Sequence, residues 1–269
     1  MRTGLGAGLA ALLALSGCAG ADESADAVAK RSGMAAAEAS GGGFTLQLYR
    51  RGGAVEPDVL DVYLDGDGTP WAQPDRIAPD PTPRRALALE LMALDPGPSL
   101  YLGRPCYFGH AHDAGCDPAL WSSARYGPAV VDAMADALRL EMPDRRLRLI
   151  GYSGGGALAV LLAARLPRTI GVVTIAADLD LAGWTKARGF SPLAGSLDPA
   201  DAPVLPDPVA QWHLVGGRDA IVPAGSAARY LRRVPAGRVL TWPDFDHICC
   251  WTRIWPRVAG RIRTGDSPD

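Results

Sequence analysis

The chain has 269 residues, 48% of them apolar, and a formal net charge of −2. That is enough for one large α/β domain with a sizeable core. Its Lys and Arg are scattered, which excludes the concentrated basic face that nucleic-acid binding requires. Met1-Arg2 supplies a positive start, and Leu5 to Leu15 is a run of apolar and small residues. Residues 1–18 therefore read as a secretory signal, too short to span a membrane comfortably.

Leu15-Ser16-Gly17-Cys18 resembles the bacterial lipobox. The resemblance implies that Cys18 is lipidated and becomes the first mature residue; a plain secretory signal ending near a cysteine is the alternative. Ala19, where an Asp would imply inner-membrane retention, implies a lipid-anchored protein of the bacterial cell envelope, in the outer membrane. Residues 19–43 are Ala, Ser, Gly and charge without a sustained apolar face, and read as a flexible tether. The domain is expected over 44–263, with a C-terminal tail at 264–269.

Within it, Phe44 to Arg50 alternates apolar and polar residues, as a half-exposed edge strand does. Val59 to Leu64 is the next strand, followed at once by Asp65-Gly66-Asp67-Gly68. Prolines 70, 74, 79, 81 and 83 exclude helix or central strand from the next stretch. Arg84 to Leu94 reads as a helix and Ser99 to Leu102 as a short strand. A long loop carrying Cys106, Cys116, His110 and His112 leads to Ser122 or Ser123, either of which can cap a helix to about Met142. Leu147 to Ile150 is a buried strand, Gly154 to Leu166 a helix, and Ile170 to Ala176 another strand. Residues 178–208 exceed an ordinary connection and read as a short lid-like insertion before the penultimate strand. Val209 to Val215 and Val239 to Trp242 are the last strands, with a helix from Gly225 to Val234 between them. The chain closes with a helix from Ile248 to Ile262, kinked or restarted at Pro256. Strands alternating with helices predict an α/β fold: a mainly parallel central sheet with helices on both faces.

The chemistry centres on Gly151-Tyr152-Ser153-Gly154-Gly155. A serine in a Gly-x-Ser-x-Gly frame between strand and helix is the pattern of a nucleophile elbow. A serine hydroxyl needs a base, and the base an orienting carboxylate. Of the four histidines, His213 lies inside a strand, while His110 and His112 are a solvated loop pair or a weak metal motif. His247 follows the last strand, at the C-terminal edge where Ser153 also lies. Asp219 ends the strand before and is the favoured acid. Asp178, Asp180 and Asp246 are its rivals. The order Ser153, Asp219, His247 is that of the α/β-hydrolase triad. An oxyanion hole would take the backbone N–H of Gly154 and that of Asp67. The loop's alternative, a calcium site, lacks further oxygen ligands. Tyr152, Trp184, Phe190 and Leu193 are candidates to line a substrate pocket, the last three equally readable as loop packing.

Outside the cytoplasm disulfides persist, and Cys106–Cys116 closes a short loop most simply. Cys249 and Cys250 then remain, about 3.8 Å apart across a trans peptide, below the usual disulfide minimum of about 4.4 Å. Either of them reaching back to the loop is the alternative.

Gly-Tyr-Ser-Gly-Gly, Gly216-Gly217-Arg218-Asp219 with Ile221-Val222-Pro223, and Asp246-His247 together resemble the α/β-hydrolase superfamily over residues 44–262. Tyr101-Leu102-Gly103-Arg104-Pro105-Cys106, the Ser191 to Leu197 run and Asp246 to Trp251 resemble bacterial α/β-hydrolase lipoproteins more narrowly. Asp65 departs from that pattern, which has His before the oxyanion Gly. The resemblance implies a serine hydrolase of esters or related acyl compounds, working through an acyl-enzyme on a small-molecule substrate without cofactor or metal. A serine peptidase and a non-catalytic, lipid-anchored envelope binding protein on the same fold are the alternatives.

Overall fold

The computed structural model describes residues 23–52, 58–234 and 236–266. Cys18 and the signal segment lie outside the described residues, and no described helix is long and apolar enough to cross a membrane. The first elements are a helix α1 (Ala25–Arg31) and a strand β1 (Ala35–Gly41), both inside the stretch read above as a tether. The first described helix is capped by Ser24, whose side chain accepts the Ala27 N–H. The physical reason is that alanine carries little apolar signal. Ala25, Val28 and Ala29 are nonetheless buried on one helix face. Strand β1 takes its order from its partner β2 (Phe44–Arg51), pairing antiparallel from Ala35 opposite Arg50 to Gly41 opposite Phe44. So β1 is the edge strand, and β2 is not.

Strand β3 (Val59–Leu64) follows. The proline-rich stretch holds only a small two-stranded ribbon, β4 (Trp71–Gln73) and β5 (Arg76–Ile77), apart from the main sheet. Next come α2 (Leu87–Leu94), β6 (Ser99–Leu102), α3 (Pro128–Glu141), β7 (Arg146–Tyr152), α4 (Gly154–Ala163) and β8 (Thr169–Ile175). The chain closes with α5 (Leu181–Arg188), β9 (Ala210–Gly216), α6 (Ala228–Leu231), β10 (Arg238–Trp242) and α7 (Trp251–Thr264). Helix α3 starts later than Ser122 or Ser123, because Pro128 takes its first position, where a missing N–H costs nothing. Pro118 to Trp121 forms a separate 3-10 turn capped by Asp117. Helix α7 runs unbroken through Pro256, which faces solvent.

The main sheet has the order β1-β2-β6-β3-β7-β8-β9-β10. Only β1/β2 and β2/β6 are antiparallel; every other pair is parallel. Leu60, Val62, Leu64, Leu147 and Leu149 pack toward α3 and α4, while Tyr63, Ile150, Tyr152 and Val173 join the opposite core with α1, α2 and α7. This is the period-2 alternation of strands covered on both faces. Helix α4 is buried at every position, which is why its sequence is Gly, Ala, Val and Leu without a charge. Leu64 lies opposite Gly151 and Tyr152 opposite Ile175, so the loops leaving β3, β7 and β8 emerge side by side.

Two disulfides join the described cysteines. Cys106–Cys116 has its Cα atoms 5.6 Å apart, and Cys249 is bonded to Cys250 across a cis peptide.

Candidate active site

Ser153 links β7 to α4 with φ 52° and ψ −126°. A left-handed φ is costly for a residue with a side chain and lifts it off the end of the sheet. Only glycine fits around it: a Cβ on Gly151 would overlap the Gly155 carbonyl, and one on Gly155 the Leu64 carbonyl oxygen.

The sheet edge brings the three predicted residues together. His247 Nε2 lies 3.0 Å from Ser153 Oγ, and His247 Nδ1 lies 2.8 Å from Asp219 Oδ2. Asp219 is buried. Its other oxygen accepts the N–H groups of Ile221 and Val222, each at 2.8 Å, so the carboxylate is fixed by its own turn. The Trp251 indole donates to the His247 carbonyl at 3.0 Å. The rival acids have other partners. Asp246 accepts from the N–H groups of Ile248 and Cys249, and Asp180 caps α5 through the Gly183 N–H. His213 is buried in β9 against Thr174 Oγ1 at 2.9 Å, and burial holds its imidazole down at about 4. His110 pairs with Asp113 at 2.8 Å.

The loop after β3 lies against Ser153: a Cβ on Gly66 would stand 3.3 Å from the Ser153 Cβ. Gly66 spends its own N–H on Asp65 Oδ1. Among the described residues the N–H groups of Asp67 and Gly154, the two expected donors, have no acceptor. Sequence reasoning missed what the Asp67 side chain does. Its carboxylate accepts from Tyr126 OH (2.6 Å), Arg125 Nη1 (2.7 Å) and Arg104 Nη2 (2.9 Å), and its carbonyl from Tyr107 OH (3.0 Å). Burial alone would raise this acid; Arg125 and Arg104 outweigh it and hold it at about 2. Arg104 lies over the rings of Tyr107 and Tyr126, a cation–π arrangement. The only advance sign was Arg104 beside Cys106, on a loop whose path the sequence does not determine.

A cavity of about 420 Å³ opens over Ser153 and His247, with Tyr152, Trp184, Arg125 and Asp178 in its walls. Tyr152 and Trp184 thus stand where a substrate contact was expected. Phe190 and Leu193 do not line the cavity. The Trp184 indole is tied to the Ile221 carbonyl at 2.9 Å, and Phe190 packs edge-on against its outer side, half exposed. Residues after it turn away onto the entry to α3, where Gly195 and Leu197 N–H groups bond the Ser123 and Tyr126 carbonyls. Leu193 therefore packs on the core.

Asp178 is buried, accepts the Asp180 N–H at 3.3 Å through Oδ1, and has no partner for Oδ2. Burial pushes it up to about 8. Above pH ~4 the unfolded chain ionises this acid while the folded chain keeps it neutral, so stability is lost steadily up to pH ~8 and is level beyond. Asp178→Asn removes that loss. Its melting temperature is expected to gain on the wild type between pH 4 and pH 8, by at least ~3 °C at the upper end. A difference independent of pH, followed by circular dichroism, would contradict the assignment.

No protein-family model and no curated protein sequence matches the chain. Solved structures do. A lid-less α/β serine hydrolase from Xanthomonas campestris is 16% identical, with 86% of this chain and 93% of that chain covered and a TM-score of 0.55. The Pyrococcus furiosus esterase Pf2001 is 14% identical, with 88% and 92% covered and a TM-score of 0.58. A puromycin hydrolase is 18% identical, with a TM-score of 0.58; 87% of this chain matches 40% of that one. The strand order, the parallel sheet and these likenesses agree: the chain has the α/β-hydrolase fold.

Proposed function

We propose that the protein is a serine hydrolase cleaving an ester or related acyl bond. The observation that carries this reading is the hydrogen-bonded line from Asp219 through His247 to Ser153 at the mouth of the cavity. Ser153 Oγ attacks the acyl carbon as His247 Nε2 takes its proton, and Asp219 holds the proton on Nδ1 and stabilises the imidazolium. The N–H groups of Gly154 and Asp67 stabilise the oxyanion. His247 returns the proton to the leaving alkoxide as the ester C–O bond breaks. Water, deprotonated by His247, then releases the acid from Ser153. The lipid anchor at Cys18 and an envelope location belong to the same proposal and rest on the sequence of residues 5–18 alone.

A fluorophosphonate probe tests the reading. Wild-type protein is expected to be labelled on Ser153, found by peptide mass, and Ser153→Ala to stay unlabelled. Equal labelling of the variant would overturn the assignment. Trp184→Ala is expected to shift chain-length preference among 4-nitrophenyl esters toward longer acids, by about 10-fold in relative kcat/KM for one or two methylenes. An unchanged series would remove Trp184 from the acyl pocket. A serine peptidase would use the same Ser153, His247 and Asp219 arrangement and is the second reading; aminoacyl amides assayed beside esters separate the two.

A further inference from the structure

Beside the cavity, two buried arginines share a single carboxylate. Arg104 and Arg125 are 4% and 7% exposed and share one ionised carboxylate, that of Asp67. One guanidinium charge is therefore left over. The other acids of the wall make no ion pair with either guanidinium among the described residues: Asp65 accepts from the Gly66 N–H and the Tyr101 hydroxyl, and Asp178 from the Asp180 N–H. Burial raises Asp65 to about 7 and Asp178 to about 8, so Asp178 presents a neutral carboxyl near pH 7. Arg104 Nε and Nη1 are buried without partners. Arg125 uses Nε on the Ser122 carbonyl and Nη1 on Asp67; Nη2 makes no hydrogen bond among the described residues. Arg125 nevertheless lines the same cavity as Ser153, and so does Arg84. Arg84 comes from the segment before α2, is exposed, and has no ion-pair partner among the described residues. Buried charge without a partner is unfavourable and favours whatever neutralises it.

We propose that the site selects acyl substrates bearing a second, anionic group, a carboxylate or a phosphate, which pairs with Arg125 and Arg84 while Ser153 attacks the ester. This rests on the hydrolase reading above. A guanidinium fork matches such oxoanions in geometry as well as charge. The anion takes up the surplus charge of the Arg104–Asp67–Arg125 cluster, and the neutral Asp178 carboxyl leaves it unopposed.

Two esters of equal chain length test this: mono-4-nitrophenyl adipate, with a free carboxylate, and neutral 4-nitrophenyl hexanoate. Wild-type kcat/KM is expected to favour the adipate by about 10-fold or more, the size of one charged hydrogen bond. The preference is expected to fall toward unity in Arg84→Gln and in Arg125→Gln, and to survive in part in Arg84→Lys. Inorganic phosphate is expected to compete with the hexanoate, raising KM without lowering kcat. Arg84→Gln sits on the surface and keeps the test sound if Arg125→Gln fails to fold. Hydrolysis of the hexanoate with no adipate preference overturns this proposal and leaves the hydrolase reading standing. No turnover of either ester, with Ser153 unlabelled by the fluorophosphonate, overturns both.

Discussion

Asp219→Asn is expected to lower kcat/KM for 4-nitrophenyl esters by about 10⁴-fold, roughly 5 kcal/mol of transition-state stabilisation, with the fold intact. The two oxygens of Asp219 have separate tasks. Oδ1 accepts from the Ile221 and Val222 N–H groups, and Oδ2 accepts from His247 Nδ1. An Asn amide oriented to keep the turn bonds places its NH2 against Nδ1. Nδ1 must then accept, so the imidazole proton moves to Nε2. A protonated Nε2 cannot take the Ser153 proton. Ser153→Ala is expected to fall at least as far. Steady-state kinetics with a melting curve on each variant checks both. A loss below about 100-fold in Asp219→Asn would mean that another group orients His247.

Asp67→Ala is expected to cost about 3–5 kcal/mol of stability, because it strands two buried guanidiniums without their shared counterion. Arg104 and Arg125 are both held by this one carboxylate, whose side chain is 20% exposed. The same substitution frees the loop whose Asp67 N–H faces the reaction in the proposed mechanism, so kcat is expected to fall as well. Urea unfolding measures the first effect. A change below about 1 kcal/mol would show that water replaces Asp67 around the two arginines, and that the cluster does not hold the loop.

Most of the sheet was legible in the chain. Continuous apolar runs such as Leu147 to Ile150 and Ile170 to Ala176 have one stable use, as strands buried on both faces. The Gly-x-Ser-x-Gly frame was legible because backbone overlap leaves Gly151 and Gly155 no substitute. Strand β1 and helix α1 were not. Ala-rich segments have weak periodicity, and their order comes from β2 and the core beneath. Which of Trp184, Phe190 and Leu193 would face a cavity was not legible for a similar reason. A long connection announces that it covers something, but the side chains that face the cavity depend on where the loop is pinned, here at Ser123 and Tyr126.

The strand–helix alternation, the elbow at Ser153, and the order in which Asp219 and His247 follow it were all readable along the chain. These depend on local sterics and on periods of two and 3.6 residues, which travel with the chain. Which aspartate faces His247, the clamping of the Asp67 loop through its carboxylate, and the placing of Arg125 and Arg84 on one cavity with Ser153 came from tertiary packing. Each is a meeting of residues far apart in sequence, such as Asp67 with Arg125 or Ser153 with His247. Such meetings are set by strand order and by loop anchors, and neither is written in any one segment.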